Sequence, residues 1–198
     1  MKTHLITKDQ LDADNKYIGT TDLTNFDGHI ETEPNLGCVN FTSLKASGRI
    51  LARSGTGIKA GLGIKSGDNI KAGEGIEAGL GIEAGLGIES SLFIEAGLGI
   101  KAGQSIEAGW SIEAGEGIKA GASIKAGDDI KAGDDIKAGW SIKAGWGIKD
   151  CAAKSASEKK AAALFRAFLR YYPAPECVEQ QTVVIGVDEW LKDVGGAK

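Results

Sequence analysis

The chain is 198 residues long, enough for one sizeable domain or a rod with small appendages, but not for two ordinary globular domains. Thirty glycines against three prolines exclude collagen, where glycine takes about one third of the chain at a strict three-residue period. Twenty-three Lys and Arg against 27 Asp and Glu leave a net charge of −4, so no basic field exists to hold a nucleic-acid backbone and direct DNA or RNA binding is not expected.

Residues 1–37 carry no repeat. MKTHLITKDQLDADNK contains no apolar run of signal-peptide length, and nowhere are there the roughly 18 consecutive apolar residues of a membrane span, so a soluble, cytoplasmic protein with no membrane contact is expected. Thr24-Asn25-Phe26 and His29-Ile30-Glu31 flank Asp27-Gly28, which predicts a two-residue hairpin and a small β cap. A cap is needed here because the open end of a solenoid templates edge-to-edge association.

From residue 38 one period takes over. Isoleucine stands at every sixth position from Ile58 to Ile148, sixteen in a single phase. Upstream, Leu44 and Ile50 keep the six-residue step, and the eight residues from Ile50 to Ile58 leave room for a two-residue bulge. Units such as IKAGLG, IEAGWS and IKAGDD fit neither a 3.6-residue helix nor a heptad, and glycine at this density costs a helix about 1 kcal/mol per residue. In a strand, Ile and the Ala two positions later point to one side, and the Lys or Glu between them to the other. The glycine after Ala permits a corner, and three corners close a coil of 18 residues that stacks on the next at about 4.8 Å. The fold class is therefore mainly β: a triangular parallel β-solenoid over residues 38–150 with isoleucine along its axis.

The period and its aliphatic first position resemble the hexapeptide-repeat β-helix family known from bacterial acyltransferases and γ-class carbonic anhydrases, over about half of the chain. The resemblance implies a left-handed coil. Where that family places a small residue two positions before the aliphatic one, this chain has Leu62, Asp68, Glu74, Leu80, Trp110 or Trp140. Right-handed triangular solenoids such as bactofilins also use six-residue faces, so both hands stay open. The family's acyltransferases carry a histidine base on a coil, and its anhydrases bind a metal through three histidines. Here His4 and His29 both precede the repeat, so the resemblance implies architecture without catalytic groups, and no cofactor or metal is expected. No Ser/His/Asp set, phosphate loop or HExxH string occurs, and the Gly-x-Gly triplets are products of the repeat.

Beyond Ile148 the composition changes, and residues 151–198 predict a helix-strand-helix tail. Ser155 and Glu158 form a capping box, and SEKKAAALFRAFLRYY places Ala161, Leu164, Phe165, Phe168 and Tyr172 on one stripe. Cys38, Cys151 and Cys177, odd in number and widely spaced, read as reduced thiols.

Sorting residues 18 apart into columns organises the surface. Glu77, Glu95 and Glu113 stack on one face and Glu89 with Glu107 on another, while lysines from Lys119 to Lys149 line the C-terminal coils. Leu62, Leu80 and Leu98 form a ridge at one corner, expected to lie under the tail's Leu164, Phe165 and Phe168 or under a second subunit. Trp110 and Trp146 share another corner and Trp140 stands on the next, either as interface anchors or as packing surface for the tail. Asp128-Asp129 and Asp134-Asp135 read as solvated corners, with Ca²⁺ binding as the alternative.

These features lead us to expect a non-catalytic interaction protein that binds a protein partner or its own copy as a dimer or trimer. A phage or mobile-element inhibitor of a host defence complex, anti-CRISPR-like, has this general character. A divergent hexapeptide acyltransferase and a self-assembling scaffold are the alternatives.

Overall fold

The structure is a computed structural model and describes residues 1–150. It is mainly β: a parallel solenoid in which strands of mostly three residues, Ile-x-Ala, visit three sheets in rotation. The first sheet has eight strands, Lys2–Ile6, Gly28–Thr32, Ile50–Ala52, Ile70–Ala72, Ile88–Ser90, Ile106–Ala108, Ser123–Ala126 and Ser141–Lys143. The second has seven, Gly37–Phe41, Thr56–Ala60, Ile76–Ala78, Ile94–Ala96, Ile112–Ala114, Asp129–Ala132 and Gly147–Asp150. The third has six, Leu44–Ala46, Ile64–Ser66, Ile82–Ala84, Ile100–Ala102, Ile118–Ala120 and Ile136–Ala138.

Each strand pairs in parallel with the equivalent strand of the next coil, so like residues stack: Ile76 on Ile94 on Ile112, and Ala78 on Ala96 on Ala114. The period-2 alternation places Ile and Ala inside. Every isoleucine of the repeat from Ile58 to Ile130 is at most 1% exposed, one continuous column set worth about 1.5–3 kcal/mol per side chain in transfer from water. Two inner alanine positions are taken by serine, and both hydroxyls are satisfied at the corner. Ser66 Oγ lies 2.6 Å from the Gly48 carbonyl oxygen, and Ser90 Oγ 2.6 Å from that of Glu74.

The corners are built by backbone. The N–H groups of the glycine after Ala and of the residue beyond it donate to carbonyls one coil below, as in Gly97 to Ala78 at 3.0 Å and Leu98 to Leu80 at 2.8 Å. A Cβ on that glycine would collide with the same backbone; on Gly97 it would stand 2.2 Å from the Gly79 oxygen.

The bulge expected between Ile50 and Ile58 is present. Ile50 pairs with Ile70, twenty residues on, whereas Ile58 pairs with Ile76, eighteen residues on. The extra length is absorbed around Gly55, whose φ of +68° suits glycine and whose Cβ would run into Asn35.

The expected hairpin at Asp27-Gly28 does not form. Gly28 opens a strand that lies between Lys2–Ile6 and Ile50–Ala52, parallel to both. Phe26 instead bridges to Ala46, its N–H donating to the Lys45 carbonyl at 2.9 Å. Glycine is required at 28 for close approach rather than for a turn: φ is +150° and a Cβ would strike the Lys2 carbonyl. The first sheet thus runs on both sides of the expected boundary at residues 37 and 38. Between the first two strands, residues 7–27 lie across the N-terminal end, with Leu11 and Leu23 buried against the core. Tyr17 N–H donates to the Asn40 carbonyl, so backbone groups of the first coil's edge are occupied. Residues 151–198, including the expected helix with Leu164, Phe165 and Phe168, lie outside the described residues.

Candidate interaction surface

Three edges separate the three faces, and the backbone ladder places their side chains in columns. On the edge between the first and second sheets stand Glu74, Leu92, Trp110, Asp128 and Trp146, each joined to the next by an N–H to carbonyl bond. On the edge between the second and third stand Leu62, Leu80, Leu98, Glu116 and Asp134, and on the edge between the third and first, Asp68, Leu86, Gln104, Ala122 and Trp140. The chain turns at these corners between strands, and the large apolar side chains there face water. Leu62, Leu80 and Leu98 are 42% to 49% exposed, and Trp110, Trp140 and Trp146 are 56%, 80% and 76% exposed. Leu92 is half-buried, beside a half-buried Phe93 whose ring lies over Gly75.

The residues between Ile and Ala cover the faces. On the second face Glu77, Glu95 and Glu113 are direct ladder neighbours. Lys59 bounds this acidic run on one side and pairs with Glu77 at 2.7 Å, Lys131 and Lys149 follow Glu113 on the other, and Glu95 and Glu113 have no ion-pair partner among the described residues. Hydrogen bonding to Glu77 raises the Lys59 ammonium above the usual lysine range. The first face mixes the two signs: Lys71 pairs with Glu89 and Lys125 with Glu107, the latter bond raising Lys125 in turn.

The third face is basic, a division that the sequence reading did not draw because it pooled the lysines of the C-terminal coils. Lys101, Lys119 and Lys137 are ladder neighbours, with Lys45 and Lys65 further down and Glu83 as the one acid of the column. Lys65 bonds Glu83 at 2.7 Å and holds its carboxyl below the usual range. An open groove of about 610 Å³ runs along this face between the lysine column and the stacked Gly63, Gly81, Gly99 and Gly117. The signal was present in the sequence as four glycines and three lysines, each set in one 18-residue phase.

Several other titratable groups are engaged in the fold's own contacts. Glu31 is buried and bonded by Arg49 and Arg53, which hold its carboxyl low. His4 lies 3.1 Å from the Tyr17 hydroxyl, its protonation disfavoured by burial, and His29 Nδ1 accepts the Arg49 N–H. Burial and the nearby Glu77 raise the Cys38 thiol. Asp128 and Asp129 occupy one edge and Asp134 and Asp135 the next, with Asp135 2.6 Å from Lys137, so the four carboxylates do not converge. Among the described residues no three His, Cys, Asp or Glu side chains are grouped to hold a metal, and no helix is long and apolar enough to cross a membrane.

Compared with known protein families, curated proteins and solved structures, the chain matches none.

Proposed function

We propose that the protein is a non-catalytic interaction module, a hexapeptide-type solenoid whose edges and faces bind protein. The observation that carries this reading is the set of large apolar side chains held outward by the corner ladder: three tryptophans and the Leu62, Leu80 and Leu98 ridge. Outward tryptophans on a rigid frame lose little entropy on binding and are typical anchors of protein interfaces. The charged columns beside them supply orientation and encounter rate rather than bulk affinity. A host defence complex inhibited by a phage-encoded protein is one class of target consistent with such a surface.

The test is a triple variant, Trp110→Ser with Trp140→Ser and Trp146→Ser, compared with the parent in sedimentation and in quantitative capture against candidate complexes. The parent is expected to associate, with itself or with a partner, at micromolar concentration, and the variant to lose that association while keeping its β circular dichroism. A parent that stays monomeric and binds nothing beyond what the variant binds overturns the reading. The acyltransferase alternative predicts heat on titration with acetyl-CoA.

A further inference from the structure

Read coil by coil, the second and third faces are complementary copies of one another, displaced by a single coil. The second face runs Lys59, Glu77, Glu95, Glu113, and the third runs Glu83, Lys101, Lys119, Lys137. Each series is a continuous ladder with the same step of about 4.8 Å, so a match at one level is a match at all four.

We propose that the second face of one copy docks on the third face of another, solenoid axes parallel, with a stagger of one coil. This rests on the interaction reading above and names the partner as a second copy of this chain. Lys59 then meets Glu83 of the second copy, Glu77 meets Lys101, Glu95 meets Lys119 and Glu113 meets Lys137. Without the stagger, Lys59 would face Lys65, Glu77 would face Glu83 and Lys131 would face Lys137, three like-charge contacts against two favourable ones. Reversing one axis restores four matches but sets Lys149 against Lys65.

The tryptophan edge agrees with the same stagger independently of the charges. Two parallel three-sided rods joined in this way bring the edge between first and second sheets of one copy against the edge between third and first sheets of the other. One coil of offset puts Trp110 beside Trp140 and Leu92 beside Ala122. It also joins like edges between the second and third sheets, so that Leu62 meets Leu80 and Leu80 meets Leu98. Apolar corners thus flank a charged centre, and glycines on the third face leave the groove that the opposing side chains enter. Leu98 against Glu116 and Glu116 against Asp134 are the unfavourable contacts of this edge.

The two surfaces differ, so the contact is heterologous, and a translation along the axis at each step cannot close a ring. Every dimer keeps one free second face and one free third face. Association therefore passes beyond two copies and rises with concentration.

The test is sedimentation velocity of the full chain across concentration, at roughly 50 mM and 500 mM salt, screening lengths of about 14 Å and 4 Å. Two charge-reversed variants are compared, one with Glu95→Lys and Glu113→Lys, the other with Lys119→Glu and Lys137→Glu. All four side chains are exposed, so folding is checked by circular dichroism and is expected to be unchanged. The parent is expected to form a series of sizes that high salt dissolves. Each variant alone should associate at least about tenfold more weakly, and an equimolar mixture of the two should recover association. A parent that associates through salt-insensitive contacts, or variants that associate as the parent does, would overturn the staggered docking and leave the interaction reading standing. A parent that is monomeric at every concentration and salt overturns the docking; the capture experiment on the tryptophan variant then decides the broader reading separately.

Discussion

Replacing Gly97 by alanine should be far more damaging than replacing Gly99, although the two lie in the same repeat unit and neither has a left-handed backbone. On Gly97 the added methyl would sit 2.2 Å from the Gly79 oxygen and 3.1 Å from its carbon, against an ordinary limit near 3.4 Å, so the coils must part by more than about 1 Å. The bonds Gly97 to Ala78 at 3.0 Å and Leu98 to Leu80 at 2.8 Å would then stretch out of range. Two backbone bonds at about 1 kcal/mol each, plus overpacking of about 1–3 kcal/mol, give a loss of about 3–5 kcal/mol. On Gly99 the methyl would be 3.3 Å from the Gly117 oxygen, a strain of a tenth or so of an ångström. Alanine there also lowers the entropy of the unfolded chain by about 0.4–1 kcal/mol, so the net change is close to zero. The chain contains a natural version of the first substitution. Ser91 occupies the corner position of its coil, and the adjoining bond, Leu92 to Glu74, is 3.4 Å where Leu98 to Leu80 is 2.8 Å. The assay is thermal unfolding followed by the strand circular dichroism signal, with hydrogen exchange at the corner amides because repeat arrays open in parts. At about 2–4 °C per kcal/mol for this chain length, Gly97→Ala should lower the midpoint by roughly 6–20 °C and Gly99→Ala by less than about 3 °C. Equal midpoints for the two variants would show that coil spacing is not set by these corners.

Ile94→Ala should cost about 2–5 kcal/mol as a core cavity, measured in urea, while Leu98→Ala should leave the monomer's midpoint nearly unchanged and weaken only association. Arg49 and Arg53 hold the folded-state pKa of Glu31 below its ordinary value, so its contribution is fully present well above pH 4.5 and is lost as pH falls through the lower folded value. Glu31→Gln should accordingly lower stability at neutral pH and flatten the acid limb of a stability–pH curve. Burial lowers His4 below 6.5, so the folded state favours the neutral ring: stability is present above that value and declines as pH falls toward the folded one, which NMR titration of the imidazole can follow. Lys125→Ala removes an exposed ion pair with Glu107 and should leave the thermal midpoint unchanged within error.

The repeat was legible because both inner positions, Ile and Ala, fall in one period, and hydrophobic burial acts on that period at every coil. The columns on the edges were legible for the same reason: once the coil length is eighteen, Trp110 and Trp146, or Leu62 and Leu80, can only stand above one another. What the residues did not disclose was partner choice at the N-terminus. Asp27-Gly28 carries a strong local turn signal, but the ladder edge at Lys45 and Ser47 engages Phe26 at 2.9 Å on each side and leaves no antiparallel partner for residues 28–32. The basic third face was hidden differently. Consecutive lysines along the chain, such as Lys119 and Lys125, belong to different walls, and only grouping them by wall separates a positive face from a mixed one.

The three-residue wall and three-residue corner have a consequence for how such a rod can change over time. Gain or loss of eighteen residues lengthens or shortens it while every outward column stays on its own wall. Gain or loss of six leaves the interior just as well filled, because any unit fits any wall, yet it turns all following side chains by a third of a revolution. A single short duplication near Ile94 would move Glu113 onto the wall now held by lysines, rewriting the whole exterior downstream with no penalty inside.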